Sequence, residues 1–289
     1  MTAPPDGASS SIMRGVNVAH LQLSQTDALY YDHHSPADHR QCTFVFFNAL
    51  TGDTSTWEAV IGPLLRNAGY GTLVFNMRGQ SDSPFSSGVE LNEGVIVEDT
   101  VRLLTEVKPS RPILVGLSIG GLFACRTWLE GADAIGLVLI NTLRQDGPRL
   151  KWIADALVRA VEVGGLSLFR DLYLPLLMNE SWLKENRSNF LLPNPTYSSL
   201  EPNSGHFKLL SEAGRTSDWN IPYEGLNLPV LVVTGLQDHV FLDMEVVDQL
   251  FSRLPMGRRI DMSDAGHLIP AEQPEVLARR LMSFAQEID

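Results

Sequence analysis

Apolar and polar positions alternate along residues 16–23 (Val16, Val18, then 20–23), and a second short β-rich run covers 28–31 before the polar loop 32–40. Period-two alternation marks half-buried strands, so this region predicts a leading antiparallel pair. The next segment, Cys42-Thr-Phe-Val-Phe-Phe47, is almost wholly apolar and β-prone, as expected of a strand covered on both faces. Beyond it the pattern alternates: helix 57–67, strand 71–75, helix 94–105, strand 112–116, helix 120–129, strand 134–141. That rhythm predicts a mostly parallel sheet with right-handed crossovers. It breaks over residues 142–227, where amphipathic stretches at 152–163 and 166–177 follow one another without a strand-like run between them. A strand returns at 228–234, then a helix at 244–254, a short strand at 258–262 and a closing helix at 274–288. The expected organisation is a flexible tail over 1–14, an α/β core over 15–141 and 228–289, and a helical cap inserted at 142–227.

Composition narrows the function. The 289 residues are 44% hydrophobic and 19% charged, enough apolar material for one large globular domain. Lys and Arg number 22 against 34 Asp and Glu, a net charge of -12 that repels nucleic-acid phosphates and anionic lipid. No uninterrupted apolar run reaches the length of a membrane span, and the Pro-, Gly- and Ser-rich start lacks the form of a secretory signal. Two cysteines, Cys42 and Cys125, sit in apolar stretches and predict buried thiols rather than a disulfide framework. A cytoplasmic protein acting on a small molecule, with a homodimer allowed, is the resulting expectation.

The chemistry concentrates in Gly116-Leu117-Ser118-Ile119-Gly120, directly after one predicted strand and directly before a helix. A sharp strand-to-helix turn there exposes the serine hydroxyl at the carboxyl edge of the sheet, and the glycines let the chain pass closely. A serine hydroxyl needs a base, and the base needs an orienting acid. Asp238, in Gly235-Leu-Gln-Asp238-His239, lies in the loop after strand 228–234, and His267, in Asp264-Ala-Gly-His267, follows the last strand. The order Ser118, Asp238, His267 suits a nucleophile, acid and base on three edge loops. Asp146 is a competing acid and His239 a competing base. Backbone N–H groups of Ile119 and Leu50, with Ala49 as the alternative to Leu50, are the candidate oxyanion donors. Asn48 is a candidate substrate contact, with a loop-stabilising amide as its other reading.

These residues resemble the α/β-hydrolase fold superfamily, in the group carrying a helical cap. The resemblance covers about residues 15–289 and rests on 116–120, the loop Asn76-Met-Arg-Gly-Gln-Ser-Asp-Ser83, Gly235–Asp238, and Gly266-His267 with Pro270 and Glu272-Gln-Pro274. It implies a mostly parallel central β-sheet flanked by helices and a serine hydrolase, esterase- or lactonase-like. Two positions depart from the pattern: Asn48-Ala49 where the family usually has His-Gly, and Asn76 where it usually has Asp. The wording Asn48-Ala-Leu-Thr-Gly52 is similar to the corresponding loop of homoserine acyltransferases, which keeps acyl transfer open. C–C bond hydrolysis, a cofactor-free oxygenase or perhydrolase reaction, and non-catalytic ligand binding also remain open on the same residues.

The cap stretch contains Trp152, Phe169, Tyr173, Trp182, Phe190, Tyr197, Phe207 and Trp219, which suggests a substrate with an apolar acyl chain or aromatic ring. Asp32-His33-His34 and Asp38-His39 have ligand residue types without ligand spacing, and no dinucleotide or phosphate-loop fingerprint is present. Neither a cofactor nor a metal is expected.

Overall fold

The computed structural model describes residues 17–289; the tail expected over 1–14, and Val16 of the first strand, lie outside that range. Eight strands form one sheet: β1 (Asn17–Gln22), β2 (Ala28–His34), β3 (Thr43–Phe47), β4 (Gly71–Phe75), β5 (Pro112–Leu117), β6 (Gly136–Ile140), β7 (Val230–Gly235) and β8 (Gly257–Met262), in the order β1-β2-β4-β3-β5-β6-β7-β8. β1 and β2 pair antiparallel, as do β2 and β4, and every later pairing is parallel. All residues of β3 to β7 are buried, whereas the edge strand β8 is mostly half-exposed.

Helices on both faces account for that burial. They are α1 (Ser55–Glu58), α2 (Ile61–Asn67), α3 (Glu93–Val107), α4 (Ile119–Leu129), α5 (Pro148–Leu177), α6 (Glu180–Phe190), α7 (Gly205–Ser211), α8 (Ala213–Thr216), α9 (Met244–Phe251), α10 (Ile269–Glu272) and α11 (Pro274–Glu287). Alternate side chains of β3 enter opposite cores, Val45 and Phe47 one, Phe44 and Phe46 the other. The first core takes Leu103 of α3 and Phe123 of α4; the second takes Leu65 of α2 and Leu281 of α11.

The helix expected over 57–67 is two helices, because Val60 leaves helical geometry (φ -140°, ψ -50°). Pro63 supplies the reason: its ring would collide with the carbonyl four residues back, so the helix restarts just before it. The 142–227 stretch holds α5 to α8 and no strand. Helix α5 bends at Gly164 and Gly165, the boundary expected between the two amphipathic stretches; Gly165 has φ 64°, and a Cβ there would lie 2.2 Å from the Ser198 carbonyl oxygen. Among the described residues no helix is long and apolar enough to cross a membrane.

The strand order dictates where a site can form. β3 is flanked by β4 and β5, so the chain leaves β3 toward one side and crosses to the other before β5. In open α/β sheets the crevice for ligands lies at such a reversal, outside the carboxyl ends of the strands. The loop after β3 and the turn after β5 border it.

Candidate active site

The turn after β5 is strained. Ser118 has φ 59° and ψ -124°, and α4 begins at the next residue. A non-glycine residue in that region costs on the order of 1–3 kcal/mol and persists only when its surroundings fix it. Here the Ser118 amide donates to the Ile140 carbonyl (2.7 Å), and the Ser118 carbonyl accepts from the Gly121 amide (3.1 Å) and the Thr142 hydroxyl (2.9 Å). The glycines on either side are steric requirements: a Cβ on Gly116 would lie 2.3 Å from the Gly121 backbone, and one on Gly120 2.5 Å from the Phe47 carbonyl oxygen.

Asp238 and His267 meet at the same edge. His267 Nδ1–H donates to Asp238 Oδ2 at 2.6 Å, and Asp238 Oδ1 accepts from the Val240 and Phe241 amides, both at 3.0 Å. Because the carboxylate only accepts, Nδ1 carries the proton and the Nε2 lone pair is left free. Burial alone would raise the Asp238 pKa, but the charge and hydrogen bond of His267, the Phe241 amide and the Arg144 charge bring it down to about 2. The carboxylate therefore stabilises the fold fully above its ordinary value of 3.8 and loses that contribution as pH falls toward about 2. Asp238→Asn is expected to lower stability near neutral pH by on the order of 2 kcal/mol, with the deficit closing between those pH values, as read from urea titrations along a pH series.

Three further residues hold this pair in place: Asn141, Glu272 and Leu177. Asn141, at the end of β6 with φ 49°, donates through Nδ2 to the carbonyls of Gly266 (3.0 Å) and His267 (2.8 Å) and accepts from the Gly235 amide (2.8 Å). It thus ties the aspartate loop to the histidine loop. Glu272 accepts from the Gly266 and Asn179 amides, and Leu177 of α5 accepts from the His267 amide. The competing candidates stand apart: Asp146 is exposed, and His239 is exposed beside a separate hollow with Trp152 and Arg149.

Arg144 was not legible as a site residue. Its guanidinium is buried against the rings of Phe241 and Trp219, 4.0 and 5.0 Å from their centroids. Nη2 donates to Ser118 Oγ (2.8 Å) and the Asn141 carbonyl (3.0 Å) and lies 3.5 Å from His267 Nε2. Among the described residues Ser118 and His267 share no hydrogen bond; the guanidinium stands between them. Burial lowers the Arg144 pKa to about 10, against the pull of Asp238, so the side chain is charged at neutral pH. The available signal was a cation four residues past β6 on an edge loop.

Leu50, Ser118, Ile119, Arg144 and His267 border one cavity of about 310 Å³, closed over by Phe169 and Tyr173 of α5 and by Trp219. Ile119 is the first residue of α4, where helix amides lack intrahelical partners. Trp152 and Tyr197, also among the expected cap aromatics, are exposed and do not line this cavity.

Of the two readings of Asn48, the arrangement is that of the loop-stabilising amide. Asn48 does not line the cavity: Nδ2 donates to Phe75 O (2.9 Å), Asn76 Oδ1 (3.1 Å) and Gln80 Oε1 (3.0 Å), while Oδ1 accepts from Trp57 Nε1 (2.8 Å). Its amide is a strut of the loop that presents Leu50, and Gln80 Nε2 completes the strut on the Ala49 carbonyl (2.8 Å). The two departures from the family pattern, Asn48 and Asn76, are thus in contact with each other.

Comparison with known proteins agrees with this architecture. A curated relative from Mycobacterium tuberculosis (strain CDC 1551 / Oshkosh), BpoC, named as a candidate non-heme bromoperoxidase, is 25% identical over 265 residues, covering 89% of this chain and 97% of its own. The solved structure of a thermophilic esterase from Thermogutta terrifontis matches with a TM-score of 0.74 at 20% identity, over 94% of this chain and 97% of that one. An enol-lactonase from Burkholderia xenovorans LB400 matches with a TM-score of 0.72 at 20% identity, over 90% and 97%. The family model described as alpha/beta hydrolase fold matches residues 43–274, most of the chain. With that match, the eight-stranded sheet and its edge turn, the chain belongs to the α/β-hydrolase fold family.

Proposed function

We propose that the protein hydrolyses a carboxylic ester or lactone of a mainly apolar small molecule through an acyl-enzyme on Ser118. The observation that carries this reading is Ser118 on its strained turn, sharing one cavity with His267, whose Nδ1 is held by Asp238 behind it. Ser118 Oγ attacks the acyl carbon as His267 Nε2 accepts its proton, and Asp238 holds the imidazole tautomer and the imidazolium that forms. The Leu50 and Ile119 amides receive the developing oxyanion. His267 then returns the proton to the leaving alcohol and draws one from the water that resolves the acyl-enzyme. For that sequence to begin, the Ser118 hydroxyl must point its proton at His267, which requires Arg144 to shift from between them. The esterase and the enol-lactonase of the same fold support the choice of ester or lactone over other acyl substrates.

The reading is tested with a neutral fluorophosphonate, followed by intact mass and peptide mapping. The expected result is one adduct per chain, on Ser118, absent from Ser118→Ala. A folded wild-type protein that takes no label, or labels elsewhere, would overturn the nucleophile assignment.

A further inference from the structure

Arg144 combines three properties that a structural arginine does not. It is buried, its head group lines the cavity, and among the described residues no carboxylate comes within ion-pair distance of it. The nearest acid, Asp238, is committed to His267 and two backbone amides. Among the described residues Nε has no acceptor and Nη1 donates to no protein group; Nη2 is used, on Ser118 Oγ and the Asn141 carbonyl. Removing a cation from water is costly unless it is paired, and a guanidinium that faces no carboxylate and leaves Nε and Nη1 unused matches one bidentately once Nη2 is also given up to it. Arg170, also at the cavity wall, differs in being only half-buried and in facing a carboxylate, Asp171, at 4.0 Å.

We infer that Arg144 receives a carboxylate of the substrate, so that the hydrolysed compound is an anionic ester or lactone whose carboxylate lies a few bonds from the scissile carbonyl. The inference rests on the hydrolase reading and specifies its substrate class. A carboxylate bound to a guanidinium that rests 2.8 Å from Ser118 Oγ lies within about 5–6 Å of that oxygen, and an attacked carbonyl carbon sits about 3 Å from it. A succinate-like spacing between the two carbonyl carbons satisfies both. The same contact explains why Arg144 rests on Ser118 in the free protein. A carboxylate takes over the guanidinium's donors, the hydroxyl is released, and Ser118 can then donate to His267 Nε2. Substrates without the anion leave the serine engaged.

The test compares hydrolysis of monoethyl succinate with that of ethyl pentanoate by pH-stat, in the wild type, Arg144→Met and Arg144→Lys, alongside fluorophosphonate labelling. The wild type is expected to favour the anionic ester by on the order of 10–100-fold in kcat/KM and to be inhibited competitively by succinate. In Arg144→Met the ratio should fall to about one and succinate inhibition should vanish, while the neutral fluorophosphonate labels Ser118 faster than in the wild type. Arg144→Lys should recover part of the preference. A wild-type ratio near one, with Ser118 labelled, would overturn this inference and leave the hydrolase reading standing. An Arg144→Met protein that is slower on both esters by the same factor would also overturn it, since Arg144 would then act on the reacting oxygen. A wild type that neither labels nor hydrolyses either ester would overturn both readings together.

Discussion

Ser118→Ala lowers ester turnover by about 10⁴-fold or more, His267→Ala lowers it nearly as far, and the double variant is no slower than the worse single one. The expectation follows from the division of labour at the cavity. Without Oγ there is no nucleophile for His267 to activate, and without Nε2 the hydroxyl keeps its proton, so either loss removes the same step. Residual rate above water is then expected from binding and from the oxyanion donors proposed at Leu50 and Ile119. Single-turnover kinetics on the anionic ester measures the losses. Multiplying losses, with the double variant far slower than either parent, would mean that the two side chains act in separate steps and would remove the proposed proton transfer.

The second large effect is on stability. Arg78 Nη1 donates to Asp27 Oδ2 at 3.0 Å, and its Nε and Nη2 reach the two oxygens of Asp99 at 2.6 and 2.5 Å, with both aspartate side chains almost wholly buried. Arg78→Met leaves two carboxylates out of water without their cation, and the cost of stranding buried charge is about 3–5 kcal/mol. Burial already pushes the Asp99 pKa up even with Arg78 present, so its loss drives that group further toward protonation. Urea titration measures the deficit. Adding Asp27→Asn and Asp99→Asn to Arg78→Met should recover a large part of it, because the stranded charges are then gone. No recovery would show that Arg78 acts through packing alone.

The fold was legible because strands covered on both faces write continuous apolar runs, as in β3 and β7, and because the break in rhythm after β6 has no such run. The turn at Ser118 was legible because the steric needs of Gly116 and Gly120 fix residue types at fixed spacing. Asp238 and His267 could be placed from the ends of their strands. Arg144 could not: an arginine in a loop reads as solvated, and what buries this one is Trp219 and Phe241, far along the chain. The two readings of Asn48 could not be separated for the same reason, since its partners Trp57, Phe75, Asn76 and Gln80 come from separate segments. Asn141 carries no sequence signature; its role exists only where three edge loops converge.

The junction at the end of α5 sets a limit on shuffling the helical 142–227 stretch between relatives. Leu177 accepts from the His267 amide, and Asn179 bonds both Glu272 and the Asp264 carbonyl. Residues in the middle of the 142–227 stretch are therefore part of the mounting of His267, and a chimaera that replaces them exchanges that mounting along with the roof of the cavity. A splice placed at the Gly164–Gly165 bend replaces α5's first half and leaves the histidine's supports native. By the same geometry Phe169 and Tyr173, on the half of α5 beyond those glycines, are tied to the sheet edge through Leu177 and His267, so the half before the bend can be exchanged without moving that part of the roof.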